Sequence, residues 1–98
     1  MTEPRFEFGR NWESFSQLVE EPRIVAAEER LAKLLGTRSL GGKRFLDIGC
    51  GSGLHALAAL RLGAKEVVAI DLDPHSASTA RSVLGKFAPA GSRWSVHE

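Results

Sequence analysis

The stretch with the clearest chemical meaning is a glycine-rich segment that follows a short apolar run at residues 45–48. Gly49, Gly51 and Gly53 occupy alternate positions. Because glycine lacks a Cβ, this spacing allows positive φ angles and a close approach of the backbone to a ligand. An alanine-rich helical pattern follows over 54–62, and the start of such a helix presents free N–H groups. The arrangement favours a nucleotide-type site between a strand and a helix.

The spacing of these glycines departs from the dinucleotide fingerprint. That fingerprint, G-x-G-x-x-G, requires a glycine at position 54, where this sequence has Leu54. A second predicted strand, residues 66–73, ends in the acids Asp71 and Asp73. A βαβ unit places a carboxylate there, about 20 residues after the first glycine, to accept hydrogen bonds from ribose hydroxyls. We predict that Asp71 has this role, since capping of the next helix accounts for Asp73.

Together these two segments resemble motifs of the class I S-adenosylmethionine-dependent methyltransferases. The first motif resembles residues 46–53, LDIGCGSG, and the second resembles residues 68–74, VAIDLDP. The likeness covers about residues 43–87, and a looser likeness extends to residues 6–12. It implies an α/β fold with a Rossmann-like parallel sheet and flanking helices. It also implies S-adenosyl-L-methionine as the cofactor, S-adenosyl-L-homocysteine as the product, and methyl transfer to an acceptor.

The resemblance also implies a role for each residue of the cofactor site. The glycines would form the turn under the methionine part, and Ser52 would offer its hydroxyl or N–H to the cofactor carboxylate. Asp47 would help to hold the ammonium group, although it could instead cap the N–H groups of the turn. Leu72 would face the adenine ring, with ordinary core packing as its alternative. The predicted cofactor-binding residues are Asp47, Gly49, Cys50, Gly51, Ser52, Gly53, Asp71 and Leu72.

Cys50 and the histidines are the other side chains with reactive chemistry. Cys50 lies between two glycines at a predicted helix start, where the pKa of a thiol can fall. A nucleophile is one interpretation, and a small side chain that a crowded turn tolerates is the favoured one. His55, His75 and His97 show no metal-ligand spacing, so we predict no metal site.

Composition excludes several classes of protein. The 98 residues allow one domain at most, with 43% hydrophobic and 26% charged residues, as in ordinary globular proteins. The net charge is +1 and no basic cluster indicates nucleic-acid binding. One cysteine excludes an internal disulfide and fits a reducing compartment. No apolar run approaches the roughly 20 residues of a membrane span, and no signal peptide is evident, so we expect a cytoplasmic protein.

Two parts are predicted along the chain. Residues 1–40 would form an extended arm, a helix over 12–19 and a helix over 22–35, and would serve as a lid or a dimer element. Residues 41–98 would form an S-adenosylmethionine-binding βαβαβ half-fold. The helix over 22–35 has a charged outer face to which we assign no function. Its residues are Glu28, Glu29, Arg30 and Lys33.

The resemblance also predicts what the chain lacks. The family fold has seven strands, and this sequence supplies two and the start of a third. We therefore expect a fragment that binds the cofactor without catalysis of its own, with acceptor and catalytic residues unknown. In the family's strand order the first strand becomes an exposed edge with apolar faces, which predicts a homodimer through that edge or through an exchanged amino-terminal helix.

Two alternatives to a methyltransferase remain open from the sequence. One is a fragment of an NAD-dependent dehydrogenase, against which Leu54 argues. The other is an interaction module that keeps the fold without the chemistry.

Overall fold

The computed structural model describes residues 21–98, so the predicted arm and first helix lie outside the described residues. Within them, helices and strands alternate along the chain. The elements are α1 Glu21–Leu35, β1 Arg44–Ile48, α2 Leu54–Arg61, β2 Glu66–Ile70, α3 Pro74–Phe87 and β3 Trp94–His97. The second strand ends at Ile70, so Asp71 begins the turn into α3. The predicted α/β class is confirmed.

The three described strands form one parallel sheet in the order β1-β2-β3. Asp47 pairs in register with Ala69, and Ala69 pairs with Val96. This is the predicted strand order, in which β1 forms an edge of the described sheet. The arrangement confirms the Rossmann-like parallel sheet with flanking helices.

All three described helices contribute to a single core on one face of this sheet. Val67 and Ala69 are fully buried there, in one cluster with Ile24 of α1, Leu57 of α2 and Leu84 of α3. Because successive strand residues point to opposite faces, the neighbours of these strand residues face away from the helices. The sheet and helices therefore form two layers within residues 21–98.

Parallel strands are usually covered on both faces, but within the described residues β1 is covered on one. Leu46 is 58% exposed and Ile48 is 75% exposed. Their partners in β2, Val68 and Ile70, are only half-buried. The physical reason is that the described helices pack on the opposite face. We call these four residues the bare face.

Helix α1 packs mainly against α2, through a narrow apolar stripe. Ile24, Ala27 and Leu31 are buried, whereas Leu34 is 80% exposed and lies outside the packed stripe. A single helical neighbour covers only part of the apolar surface of this helix. Arg61 near the end of α2 reinforces the packing through ion pairs with two glutamates of α1, Glu21 and Glu28.

Gly53 should be the glycine least tolerant of a side chain, and Gly36 provides the control. Both have positive φ, 82° and 72°, so alanine at either should cost about 1–2 kcal/mol of backbone strain. A Cβ at Gly53 would lie 3.0 Å from the Ala80 Cα, whereas nothing lies within 4 Å at Gly36. We expect Gly53→Ala to lower the free energy of unfolding by about 1–3 kcal/mol more than Gly36→Ala does, because the added methyl group overpacks the contact with α3. Urea unfolding measures both values. Equal losses would show that the contact with α3 is unimportant.

Candidate functional site

The loop between β1 and α2 depends on glycines in left-handed conformations. Gly49, Gly51 and Gly53 have φ values of 75°, 54° and 82°, which other residues adopt only with strain. The N–H groups of Gly49 and Cys50 both donate to the Ile70 carbonyl oxygen, at 2.7 and 3.1 Å. These bonds hold the loop at the carboxyl end of β2.

Asp71 joins the glycine loop to the end of the next strand. Its Oδ2 accepts a hydrogen bond from the Gly51 N–H at 2.9 Å, and its Oδ1 accepts one from the Asp73 N–H at 2.9 Å. Each carboxylate oxygen has more than one acceptor site, so these bonds leave capacity for a ligand. The acid and the loop thus lie at the same edge of the sheet.

Asp73 has the capping role that the sequence predicts. Its Oδ1 accepts a hydrogen bond from the His75 N–H at 3.1 Å, and its Oδ2 accepts one from the Ser76 hydroxyl at 3.1 Å. With Pro74 in the first turn of α3, this is a favoured helix start. The two neighbouring acids therefore have different structural partners.

Two clefts meet beside the loop, and the structure places most of the predicted site residues on them. The first, the loop cleft, has a volume of about 380 Å³. Its lining residues are Ala27, Arg30, Gly49, Cys50, Gly51, Ser52, Leu54, His55 and Asp71. The second, the Asp47 cleft, has a volume of about 550 Å³. It shares Arg30 and His55 with the first and is further lined by Leu31, Lys33, Leu34, Phe45 and Asp47.

Asp47 carries an unsatisfied buried oxygen. Its Oδ2 is buried and has no hydrogen-bond partner among the described residues. Burial raises the pKa of this carboxyl group; nearby His55 acts to lower the pKa and Asp71 to raise it. A buried acceptor without a partner is costly. This oxygen therefore does not cap an N–H group of the turn, as the alternative interpretation would require. It is free to accept a hydrogen bond from a ligand.

The remaining predicted site residues differ in exposure. Leu72 is 91% exposed, so its interpretation as ordinary core is wrong. Ser52 is only 7% exposed but still lines the loop cleft. Above Gly49 the space is open, with nothing within 4 Å of where a Cβ would lie. An open backbone cradle, an exposed apolar side chain and an unpartnered carboxylate oxygen leave room here for a ligand that carries a hydrogen-bond donor.

Cys50 is not suited to nucleophilic chemistry. It is 8% exposed, and burial, followed by the charges of Asp47 and Asp71, raises the pKa of its thiol to about 11. The interpretation as a nucleophile is therefore wrong. The cysteine acts as a small buried side chain in the turn.

Arg30 and His55 line both clefts but were absent from the predicted site. Arg30 belongs to α1, which packs on α2 and borders both clefts. His55 lies in the first turn of α2 and follows the glycine loop directly. A position in the first helical turn after a glycine loop could have marked His55, but no local pattern marked Arg30.

Two further properties concern only the part of the chain that the structure describes. In residues 21–98 no group of histidine, cysteine and acidic side chains is arranged to hold a metal ion. Within the same range, no helix combines the length and the apolar character that crossing a bilayer requires.

The Cys50 thiol should be slow to react in the native protein. With its pKa raised to about 11, the thiol stays protonated at pH 8. Because the thiolate is the reactive form, we expect alkylation by iodoacetamide to be at least about a hundredfold slower than in urea-unfolded protein, where the pKa returns to roughly 8.5. Mass spectrometry of timed samples measures both rates. Similar rates would contradict the burial of this thiol.

A parallel sheet whose carboxyl edge joins a glycine loop to an acid after the neighbouring strand defines the Rossmann-like class of nucleotide-binding folds. Comparison with known proteins places the chain more narrowly. Residues 30–85, more than half of the chain, match the family model described as ribosomal protein L11 methyltransferase (PrmA). The chain belongs to this family, which confirms the predicted class I methyltransferase resemblance.

Curated relatives match the chain over its central part. The ribosomal protein L11 methyltransferase of Mannheimia succiniciproducens is 54% identical over 43 residues, which are 44% of this chain and 15% of that protein. The enzyme of the same name from Photobacterium profundum is 49% identical over 47 residues, 48% of this chain and 16% of that protein. The chain thus matches about 15% of the length of these relatives.

Solved structures show the same fold. A Pyrococcus horikoshii protein, provisionally assigned as an RNA methyltransferase, is 36% identical with a TM-score of 0.57, over 74% of this chain and 34% of that chain. A Listeria monocytogenes protein, provisionally assigned as an S-adenosylmethionine-dependent methyltransferase, is 32% identical with a TM-score of 0.51. The match covers 72% of this chain and 32% of that chain. Escherichia coli YjhP, 18% identical, shares the fold with a TM-score of 0.63 over 98% of this chain and 37% of its own.

Proposed function

We propose that this chain is the cofactor-binding portion of an S-adenosylmethionine-dependent methyltransferase. Membership of the family supports the activity. The observation that carries the proposal is the hydrogen bond between Asp71 Oδ2 and the Gly51 N–H. It joins the acid expected at the ribose to the loop expected under the methionine part. When bound, the cofactor supplies a methyl group on a sulfonium with its own leaving group, so the protein chiefly has to bind, orient and exclude water.

Most of the proposed contacts lie in the two clefts, whereas Leu72 lies outside the linings of both. Asp71 uses its remaining acceptor capacity for the ribose hydroxyls, and the exposed Leu72 lies against the adenine ring. The glycine loop supports the methionine part, with Ser52 beside its carboxylate. Asp47 accepts a hydrogen bond from the ammonium group with the oxygen that now has no partner. Cys50 belongs to this site only as part of the turn.

A protein acceptor is the proposal best supported by the relatives. The curated relatives take their name from ribosomal protein L11, so we propose a ribosomal protein as the methyl acceptor of the whole protein. The provisional assignment of the Pyrococcus horikoshii protein concerns RNA instead. Assay of a longer form of the protein on purified ribosomal proteins and on ribosomal RNA, with radiolabelled cofactor, separates the two acceptors.

Asp71→Asn should weaken cofactor binding by about 30-fold. This corresponds to roughly 2 kcal/mol, the value of a hydrogen-bonded charged group. The amide keeps one acceptor oxygen, whereas alanine would also leave the Gly51 and Asp73 N–H groups without their acceptors. Calorimetry with S-adenosylhomocysteine measures the affinity, and urea unfolding measures the accompanying change in stability.

Asp73→Ala is the matched control for this experiment. Loss of the α3 cap should cost about 1 kcal/mol of stability and leave the affinity for S-adenosylhomocysteine unchanged. Unchanged affinity in Asp71→Asn would contradict the ribose assignment. Binding of NAD in place of S-adenosylhomocysteine would favour the dehydrogenase alternative, and binding of neither would favour an interaction module.

We further propose that two copies of the chain associate through the β1 edge and the bare face. Exposed strand edges and apolar sheet faces promote pairing with other chains. Ile48→Lys, on the bare face, should raise the dissociation constant of the dimer by at least about tenfold, because burying the lysine ammonium group is costly. Leu34→Lys, equally exposed on α1, is the control. Sedimentation over a range of concentrations measures both, and a wild type that is monomeric throughout would contradict the proposal.

A further inference from the structure

We propose that Arg30 binds the carboxylate at the methionyl end of the cofactor and makes the site selective for nucleosides that carry an amino acid. This inference rests on the proposed function. It assigns a role to a residue on the charged outer face of α1, a face to which the sequence analysis assigns no function.

The position of Arg30 is the first observation. It is exposed on α1 and lines both the loop cleft and the Asp47 cleft. Among the described residues it is the one arginine or lysine that lines the loop cleft, whereas Lys33 lines only the Asp47 cleft of this pair. Arg30 therefore borders both clefts.

The second observation is that Arg30 has no ion pair within residues 21–98, although α1 is rich in acids. Glu29 binds Arg38 with both carboxylate oxygens, at 2.9 and 2.8 Å. Glu21 and Glu28 both pair with Arg61. Since these neighbouring acids have other partners, the charge of Arg30 remains available to a ligand.

The third observation is the opposite charge in the same cleft. Asp47 and Arg30 both line the Asp47 cleft, yet they form no ion pair, and Asp47 Oδ2 has no partner in the described structure. A simple anion in this space would be repelled by the carboxylate of Asp47. A zwitterion meets both charges, with its ammonium at Asp47 and its carboxylate at Arg30.

The chemistry of arginine suits this task. The planar guanidinium presents parallel N–H donors that match a carboxylate bidentately, and it remains charged at all physiological pH values. A lysine supplies a point charge without this fork. Arg30 would therefore discriminate between a nucleoside with an amino acid tail and one without it.

The test compares two probes by calorimetry on the whole chain. S-adenosylhomocysteine carries the amino acid portion, and 5′-methylthioadenosine lacks it. We expect Arg30→Met to weaken binding of S-adenosylhomocysteine by about 10- to 100-fold, the usual value of a charge-assisted bond, and to leave 5′-methylthioadenosine unaffected. Arg30→Lys should fall between wild type and Arg30→Met.

Lys65→Met is the matched control, because Lys65 is exposed and lines neither of the two clefts. It should change neither affinity. If wild type binds S-adenosylhomocysteine and Arg30→Met binds it equally well, or if Arg30→Met weakens both probes equally, the role of Arg30 is overturned and the proposed function stands. If wild type binds neither probe, the proposed function fails and this inference fails with it.

Discussion

The hydrogen bond from the Gly51 N–H to Asp71 is the constraint on which the site depends. It crosses from the first βα unit to the second, as do the two bonds from the loop to the Ile70 carbonyl oxygen. These contacts exist only while β1 and β2 keep their parallel register, in which Ile48 pairs with Ile70. The crevice is thus a product of sheet pairing and loop conformation acting together.

The crevice is also lined by negatively charged side chains. Asp47 and Asp71 bring two carboxylates to adjoining clefts, and burial raises the pKa of Asp47. Since the pKa of the folded state lies above that of the unfolded chain, ionisation of Asp47 makes folding less favourable as pH rises through this range. A ligand that offers an ammonium group to the free oxygen would relieve this cost.

The one-sided packing of the helices shapes the rest of the surface. Parallel sheets usually bury both faces, whereas here the described helices cover one. Leu46 and Ile48 remain exposed on the other, next to the β1 edge. An apolar face beside an unpaired edge is the physical basis of the dimer that we propose.

The sequence by itself determined the order of elements, the fold class and the family. These depend on local patterns: an apolar run before alternate glycines, an acid after the next strand, and a proline with a capping acid at the start of α3. Only the tertiary structure decided that Cys50 is buried with a raised pKa, that Leu46 and Leu72 are exposed, and that Arg30 reaches the clefts. The reason is that burial and approach between distant segments depend on which faces pack together, and a one-dimensional pattern does not contain this information.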